Sequence, residues 1–329
     1  MRHSIKSWLA PVLAAVVALT GAAAQAQWVP KGPVELIVSA GPGGGNDRTA
    51  RLVAKVLQDH KLVPVPVIVI NKPGAGGVIA QNYLNSHPGD GRYLMVVNPA
   101  LITNPLAGIG TMTYQDVTPL AQLFTEYVVL ITRPGSELRS GREVLERLKA
   151  NPESLTLGVA PALGAGTHIG IAMAAKAAGI DPAKMRVIPY TTSGDAMTAM
   201  MGGHIDLMSS TPINVLPQLE NGTVRVLAHT GPKRLGGKLA GVPTFREEGA
   251  NAEFGNWRGL VGPRGMKPEQ LAFWDGVFAK LVATPEWQAE VRSLLSENLY
   301  LASAASKTFL DEEHSRLSKL LAELGFKKK

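Results

Sequence analysis

Short β-branched runs alternate with stretches of helical apolar spacing along most of the chain, and this alternation sets the expected elements. Val34–Val38 reads as a strand. A helix follows from about Asp47 to Asp59, then a strand over Val65–Ile70, a helix over Ala80–Ser86 and a strand over Tyr93–Val97. Alternation of this kind predicts βαβ units around a largely parallel sheet. The grammar restarts after a strand at Tyr127–Thr132, with helices at Ser140–Ala150, Thr167–Ala178 and Asp195–Met201. Strands at Thr156–Val159, Arg186–Pro189, Ile205–Ser209 and Val224–Thr230 interleave with them, so a second α/β domain is expected. From Gly231 to Gly255 the chain is rich in Gly, Pro and basic residues and reads as a connecting segment. A strand at Gly259–Val261 and three helices, Pro268–Ala283, Pro285–Glu297 and Ala304–Leu324, close the chain. The last carries Leu317, Leu320, Leu321 and Leu324 at amphipathic spacing. Periodicity alone does not say whether these helices return to the first domain.

Four places join a strand to a helix through small residues: Gly41–Asp47, Gly74–Gly77, Gly164–His168 and Thr191–Asp195. Glycine admits positive φ and close approach of a ligand to the backbone, and a helix start offers unpaired N–H groups and the positive end of its dipole. Such a junction suits an anion. In open α/β sheets these turns lie at the carboxyl ends of strands, where ligands bind. Each turn taken singly also reads as a plain tight connection, and four together favour a ligand clamp. Thr167 and Ser193 fit helix caps as well as hydroxyl donors to an anion. His168, at a helix start, fits either a structural hydrogen bond or a ligand contact. Asp47 is better placed to meet the helix dipole and pair with Arg51 at i,i+4 than to face an anion, so Asn46 is the better ligand candidate. Trp257 and Trp274 read as core.

Composition narrows the class. Arg2 and Lys6, the apolar stretch Trp8–Leu19 and Ala24-Gln25-Ala26 make residues 1–26 a signal peptide with an A-x-A cleavage site. The apolar stretch is short for a membrane span, so a free protein outside the cytoplasm is expected. With no cysteine in the chain, neither a disulfide framework nor a lipid-anchoring cysteine is available, which excludes a lipoprotein. Of the formal net charge of +7, three charges sit in Lys327–Lys329, which reads as a solvated tail. No basic-aromatic cluster supports nucleic-acid binding. Gly41–Asn46 lacks the last glycine of G-x-G-x-x-G, and no P-loop, G-x-S-x-G elbow or H-E-x-x-H occurs. No cofactor or metal is expected. A non-standard Ser193, His168, Asp195 site leaves an extracytoplasmic hydrolase as the enzymatic rival.

Several motifs resemble one family. They are Pro33–Val38 with Gly43–Asp47 and Arg51, Asn71–Gly77, Pro88–Leu94, Gly164–His168, Ile188–Tyr190, Gly202–Asp206, Gly241–Phe245 with Glu248-Gly249, and Trp257–Val261. Together they are similar to the substrate-binding proteins of tripartite tricarboxylate transporters, the TctC-like or Bug receptors, over nearly the whole mature chain. The resemblance implies a two-domain, type II periplasmic-binding-protein α/β fold with a ligand cleft between the domains and the C-terminal helices packed on domain 1. Expected boundaries are 27–126 plus 254–329 for domain 1 and 127–253 for domain 2. It also implies a monomer that binds a di- or tricarboxylate or related acid and serves membrane transporter subunits, with a sensory co-receptor as the alternative. Carried over motif by motif, ligand contacts would come from Ser39, Ala40, Gly41, Gly45, Asn46, Gly76, Gly77, Asn98, Gly164, Gly166, Thr167, His168, Thr192, Ser193, Gly194 and Thr211. Ala40 stands where many relatives carry an aromatic residue, and Thr191-Thr192 where Lys-Gly is common, which implies a reshaped pocket wall.

Overall fold

The computed structural model describes residues 28–326; the signal peptide expected at residues 1–26 and the Lys327–Lys329 tail lie outside the described residues. Two sheets carry the molecule, and they repeat one plan. In the larger, β1 (Val34–Val38) lies between β2 (Val67–Asn71) and β3 (Tyr93–Val97), both parallel to it. Beyond β3 come β10 (Gly255–Pro263), β4 (Val117–Tyr127) and β11 (Glu297–Ala302), each antiparallel to its neighbour. In the smaller, β6 (Thr156–Val159) lies between parallel β7 (Arg186–Pro189) and β8 (Leu207–Ser210), followed by antiparallel β5 (Val129–Thr132) and β9 (Arg225–His229). Both sheets are therefore mixed. The expectation of largely parallel sheets is corrected because each joins its three parallel strands to antiparallel ones, β10, β4 and β11 in the larger and β5 in the smaller.

The helices are α1 (Gly45–Asp59), α2 (Val78–Asn85), α3 (Ala100–Leu106), α4 (Gly141–Ala150), α5 (Gly166–Ala177), α6 (Ser193–Met201), α7 (Pro212–Glu220), α8 (Pro268–Ala283), α9 (Pro285–Ser293) and α10 (Ser303–Glu323). In α1 the apolar positions Ala50, Val53, Ala54 and Leu57 fall on one stripe. That stripe packs in one cluster with Val34, Leu36 and Val38 of β1 and with Trp274 and Phe278 of α8. Each large side chain so buried contributes about 1.5–3 kcal/mol. The C-terminal helices thus rejoin the larger sheet. Leu310, Leu317 and Leu321 of α10 enter a cluster that also holds Ile37 and Met95 from the larger sheet and Leu130, Leu157 and Ile169 from the smaller side. Just past α10, the Phe326 ring stacks on His168 with centroids 4.8 Å apart. Trp257 and Trp274 are core, as read, and their indole N–H groups donate to Glu313 Oε2 and Gly91 O.

Four elements escaped the pattern. β4 contains Pro119, which argues against a central strand; it is accommodated opposite Val261, beside a register shift that relaxes the ladder. Helices α3 and α7 contain Pro105 and Pro217, residues that weaken a helical reading. The helix expected to run to Glu297 ends at Ser293, and Leu295 at φ 53° turns the chain into β11. The connecting segment is better anchored than its composition suggests, since Phe245, Ala250 and Phe254 within it are fully buried.

Candidate functional site

A cavity of about 60 Å³ opens where the carboxyl ends of the parallel strands of the two sheets face each other. One wall is Ser39, Ala40, Gly44, Gly45, Asn46, Gly76, Asn98 and Ala100; the other is Ala160, Pro161, Ala165, Gly166, Thr167, Thr191, Thr192 and Ser193. Thr211, Asn214, Asn256 and Arg258 complete the lining. The first turns of α1, α5 and α6 and Thr211, the residue just before α7, all lie on it. The N-termini of α1, α5 and α6 therefore bring unpaired N–H groups and positive dipole ends to one small space, while α7 opens on Pro212, which has no N–H, and its Asn214 N–H goes to Thr211 O.

The turn after β1 is held from behind. Gly43, at φ 79°, donates its N–H to Asp47 Oδ2 at 2.9 Å, and Gly44 N–H reaches Gly41 O at 3.2 Å. Asp47 also accepts from Arg51 Nε and Asn71 Nδ2, both at 2.9 Å. Burial pushes this carboxyl up, but the hydrogen bonds from Arg51, Gly43 and Asn71 outweigh it and hold the group below its ordinary range. Its three bonds tie the turn to α1 and to β2. On the cavity side Asn46 Nδ2 donates to Ser39 Oγ, and Asn98 Nδ2 donates to Asn46 Oδ1, both at 3.3 Å. Gly76 sits at φ 65° with its carbonyl accepting from Asn104 Nδ2.

The turn after β6 has the same construction. Gly164, at φ 77°, donates its N–H to His168 Nδ1 at 2.9 Å, and Ala165 N–H reaches Ala162 O at 3.3 Å. The acceptor must be an unprotonated nitrogen. Burial lowers the His168 pKa to about 4, which keeps it so. Thr167 Oγ1 donates to Ala160 O at 2.8 Å, while Thr192 and Asp195 form a reciprocal capping box at the start of α6. Asp195 is bound to Thr192 and His168 to Gly164, so the Ser193, His168, Asp195 arrangement of a hydrolase is not assembled.

Eleven of the sixteen residues expected at the ligand line the cavity: Ser39, Ala40, Gly45, Asn46, Gly76, Asn98, Gly166, Thr167, Thr192, Ser193 and Thr211. Five do not. Gly77 lines a small void behind the wall with Ser39 and Asn98. Gly41, Gly164 and Gly194 lie beside the lining, and a Cβ on Gly41 would stand 3.3 Å from Thr192 Cγ2, so the two sides touch at the mouth. His168 lies behind its turn and serves the structural role. Asn214, Asn256 and Arg258 were missed as lining residues: Arg258 stands in the Trp257–Val261 motif, but only α7 and the full length of β10 bring the three to the cavity. Arg258 Nη2 donates to Glu126 Oε1 in an ion pair whose side chains are 4% and 0% exposed. Burial pushes the Glu126 carboxyl above its ordinary range against the pull of Arg258. Among the described residues no cluster of metal-ligating side chains is found, and no helix is long and apolar enough to cross a membrane.

Two mixed sheets of one topology, facing each other across a cleft lined by helix N-termini, define a periplasmic-binding-protein fold. Solved structures share it: the periplasmic binding protein BugD superposes with a TM-score of 0.82 at 25% identity, covering 91% of this chain and all of that one. R. palustris Rpa4515, solved with adipate, gives 0.82 at 25% identity over 90% of this chain and 98% of its own. Residues 49–326 match the tripartite tricarboxylate transporter family receptor, and the chain belongs to that family. Among its relatives, the UPF0065 protein in the gbd 5′ region of Cupriavidus necator is 29% identical over 99% of this chain and 98% of its own. Protein BugT of Bordetella pertussis is 30% identical over 79% of this chain and 80% of its own. The chain is thus a solute-binding receptor of the TctC and Bug type, a family of periplasmic proteins.

Proposed function

We propose that this receptor captures a small organic acid, a di- or tricarboxylate or a related acid, by closing two domains over it. The domains are 27–126 with 254–329, and 127–253. It then delivers the acid, as a monomer, to the membrane subunits of a tripartite transporter, after removal of a signal peptide over residues 1–26. It performs no covalent chemistry and uses no cofactor. The observation that carries this reading is the convergence of three helix N-termini, those of α1, α5 and α6, with the hydroxyls of Ser39, Thr167, Ser193 and Thr211, on one cavity. Charge-assisted hydrogen bonds from such donors contribute about 1.5–3 kcal/mol each. The cavity of about 60 Å³ is well above the roughly 10–15 Å³ that a single water needs, and its size suits a small ligand. That a relative at 25% identity was solved with adipate agrees with an acid ligand.

The test is a thermal-shift screen of mature protein against mono-, di- and tricarboxylates, aromatic acids, sugars and amines, since a ligand that binds only the native state raises Tm. Acids are expected to raise it. Sugars or amines raising it while acids do not would overturn the carboxylate reading, and chemical change of the bound acid on incubation would overturn the absence of catalysis.

A further inference from the structure

The chain passes between its two sheets at two places, and both are bonded to one residue. It leaves the larger sheet through Val128, the single residue between β4 and β5, and re-enters it through Phe254, the residue before β10. Thr230 is the residue just past β9. β4 and β10 pair as far as Tyr127 opposite Gly255, while β5 and β9 pair from Val129 opposite His229. The next step of the first ladder would set Val128 opposite Phe254. Thr230 stands between them instead. Its N–H donates to Val128 O at 2.9 Å, and its O accepts from Phe254 N–H at 3.1 Å. Its Oγ1 accepts from Val128 N–H at 2.9 Å and donates to Phe254 O at 2.7 Å. The hydroxyl thus bridges an amide and a carbonyl that an uninterrupted antiparallel ladder would join directly. All three residues are fully buried, where each polar group needs a partner. Helix α5, whose first turn lines the cavity, backs onto this fork. A Cβ on Gly170 would stand 2.9 Å from Val128 Cγ2, and one on Gly166 would stand 3.3 Å from Phe254 Cε1.

From this we infer that Thr230 is a positioning residue for closure of the cleft, whose hydroxyl ties the two crossing segments into one pivot beneath α5. The inference rests on the reading above, in which two domains close over an acid. A hydroxyl suits the place because it donates and accepts at once, so one oxygen answers both strands. Two separate crossings would let the domains twist as well as hinge; tied at one point, they turn together. Freedom removed by the pivot before binding does not have to be lost on binding, so the tie favours the closed, acid-bound state without touching the acid. Because α5 rests on the same point, the pivot also sets the orientation of the helix start at the cavity.

Thr230→Ser, which keeps the hydroxyl, and Thr230→Val, which keeps the shape, test this by small-angle scattering, calorimetric titration with succinate, malate and adipate, and thermal unfolding. Wild-type protein is expected to contract on saturation with the best-bound of the three acids. Thr230→Ser is expected to follow it in radius of gyration and, within threefold, in affinity. Thr230→Val is expected to have a larger radius than wild type when free, to reach the wild-type radius when saturated, and to bind at least threefold more weakly. A structural role alone would lower Tm and nothing more. Thr230→Val with affinity within threefold of wild type, or with an unchanged free radius, therefore overturns the inference. Should Thr230→Val fail to fold, amide exchange in wild-type protein decides. A pivot present in both states leaves the Val128 amide slowed by the acid less than tenfold beyond the Val53 and Leu57 amides of α1. A greater slowing would mean that the tie forms only on closure, and overturns the inference. Wild-type protein that binds none of the three acids, or binds without contracting, overturns the reading of closure over an acid, and this inference with it.

Discussion

The turns after β1 and β6 are the same device built with different chemistry. In each, a glycine at positive φ donates its N–H to a side chain four residues on, inside the first turn of the helix whose start lines the cavity. In the larger sheet the acceptor is the Asp47 carboxylate, which also takes Arg51 and Asn71. In the smaller it is the His168 imidazole, which spends its one acceptor on Gly164 and is covered by Phe326. A carboxylate holds several donors and keeps its charge to low pH. An imidazole holds one and loses the ability when protonated. The two walls of one cavity are therefore expected to differ in what loosens them.

Acidification separates them most. His168 and His229 both have pKa values lowered to about 4 by burial, and each accepts a glycine N–H at Nδ1, from Gly164 and Gly231. An unfolded histidine takes its proton near pH 6.5, so this stability is complete above that pH and falls as pH drops toward 4. The loss reaches about 3 kcal/mol for each histidine. Asp47 is held below the carboxylate range, so its contribution survives until the pH falls further. As the pH is lowered through about 4, hydrogen exchange is expected to show the Gly164 amide losing protection before the Gly43 amide; equal loss at both would break the comparison. Next in size is Asp47→Ala, which orphans three donors in or beside the turn and is expected to cost about 2–3 kcal/mol in denaturant unfolding. A cost under about 1 kcal/mol would mean that the turn holds itself.

Gly166→Ala probes the smaller side at the cavity itself. The new Cβ would stand 2.4 Å from Asn256 Oδ1, whereas at Gly45 the closest atom is the far end of Arg258 at 3.0 Å. Overpacking of this kind costs about 1–3 kcal/mol, and Gly166→Ala is expected to cost more than Gly45→Ala in Tm. The smallest effect is Ser193→Ala, one hydroxyl on the lining, with a loss of about 1 kcal/mol in acid binding and little in stability. Unchanged affinity would remove Ser193 from the site.

Much of this was legible locally. The strands around the turns, the Asp47–Arg51 pair at i,i+4 and the small-residue junctions all lie within a few residues of one another, where spacing carries the information. The repeated glycine-to-acceptor spacing, Gly43 to Asp47 and Gly164 to His168, was also present, and it points to His168 as a structural acceptor. What the pattern could not carry is non-local. Glu126 and Arg258 meet only because β4 and β10 pair across more than a hundred intervening residues. Pro119, Pro105 and Pro217 misled because a register shift and short helices absorb residues that longer, regular elements reject.

The order in which the larger sheet is filled sets when the protein can finish folding. β4 leaves the ribosome or a translocation pore early, yet both of its neighbours, β10 and β11, come from the last quarter of the sequence. The smaller sheet, by contrast, is drawn entirely from residues 129–229. An emerging chain can therefore complete its second sheet while the first stands half-built with an unpaired long strand, and closure waits for the C-terminal segment. Such late, long-range closure slows folding. The last residues of the chain therefore decide when the larger sheet, and with it one wall of the cavity, is finished.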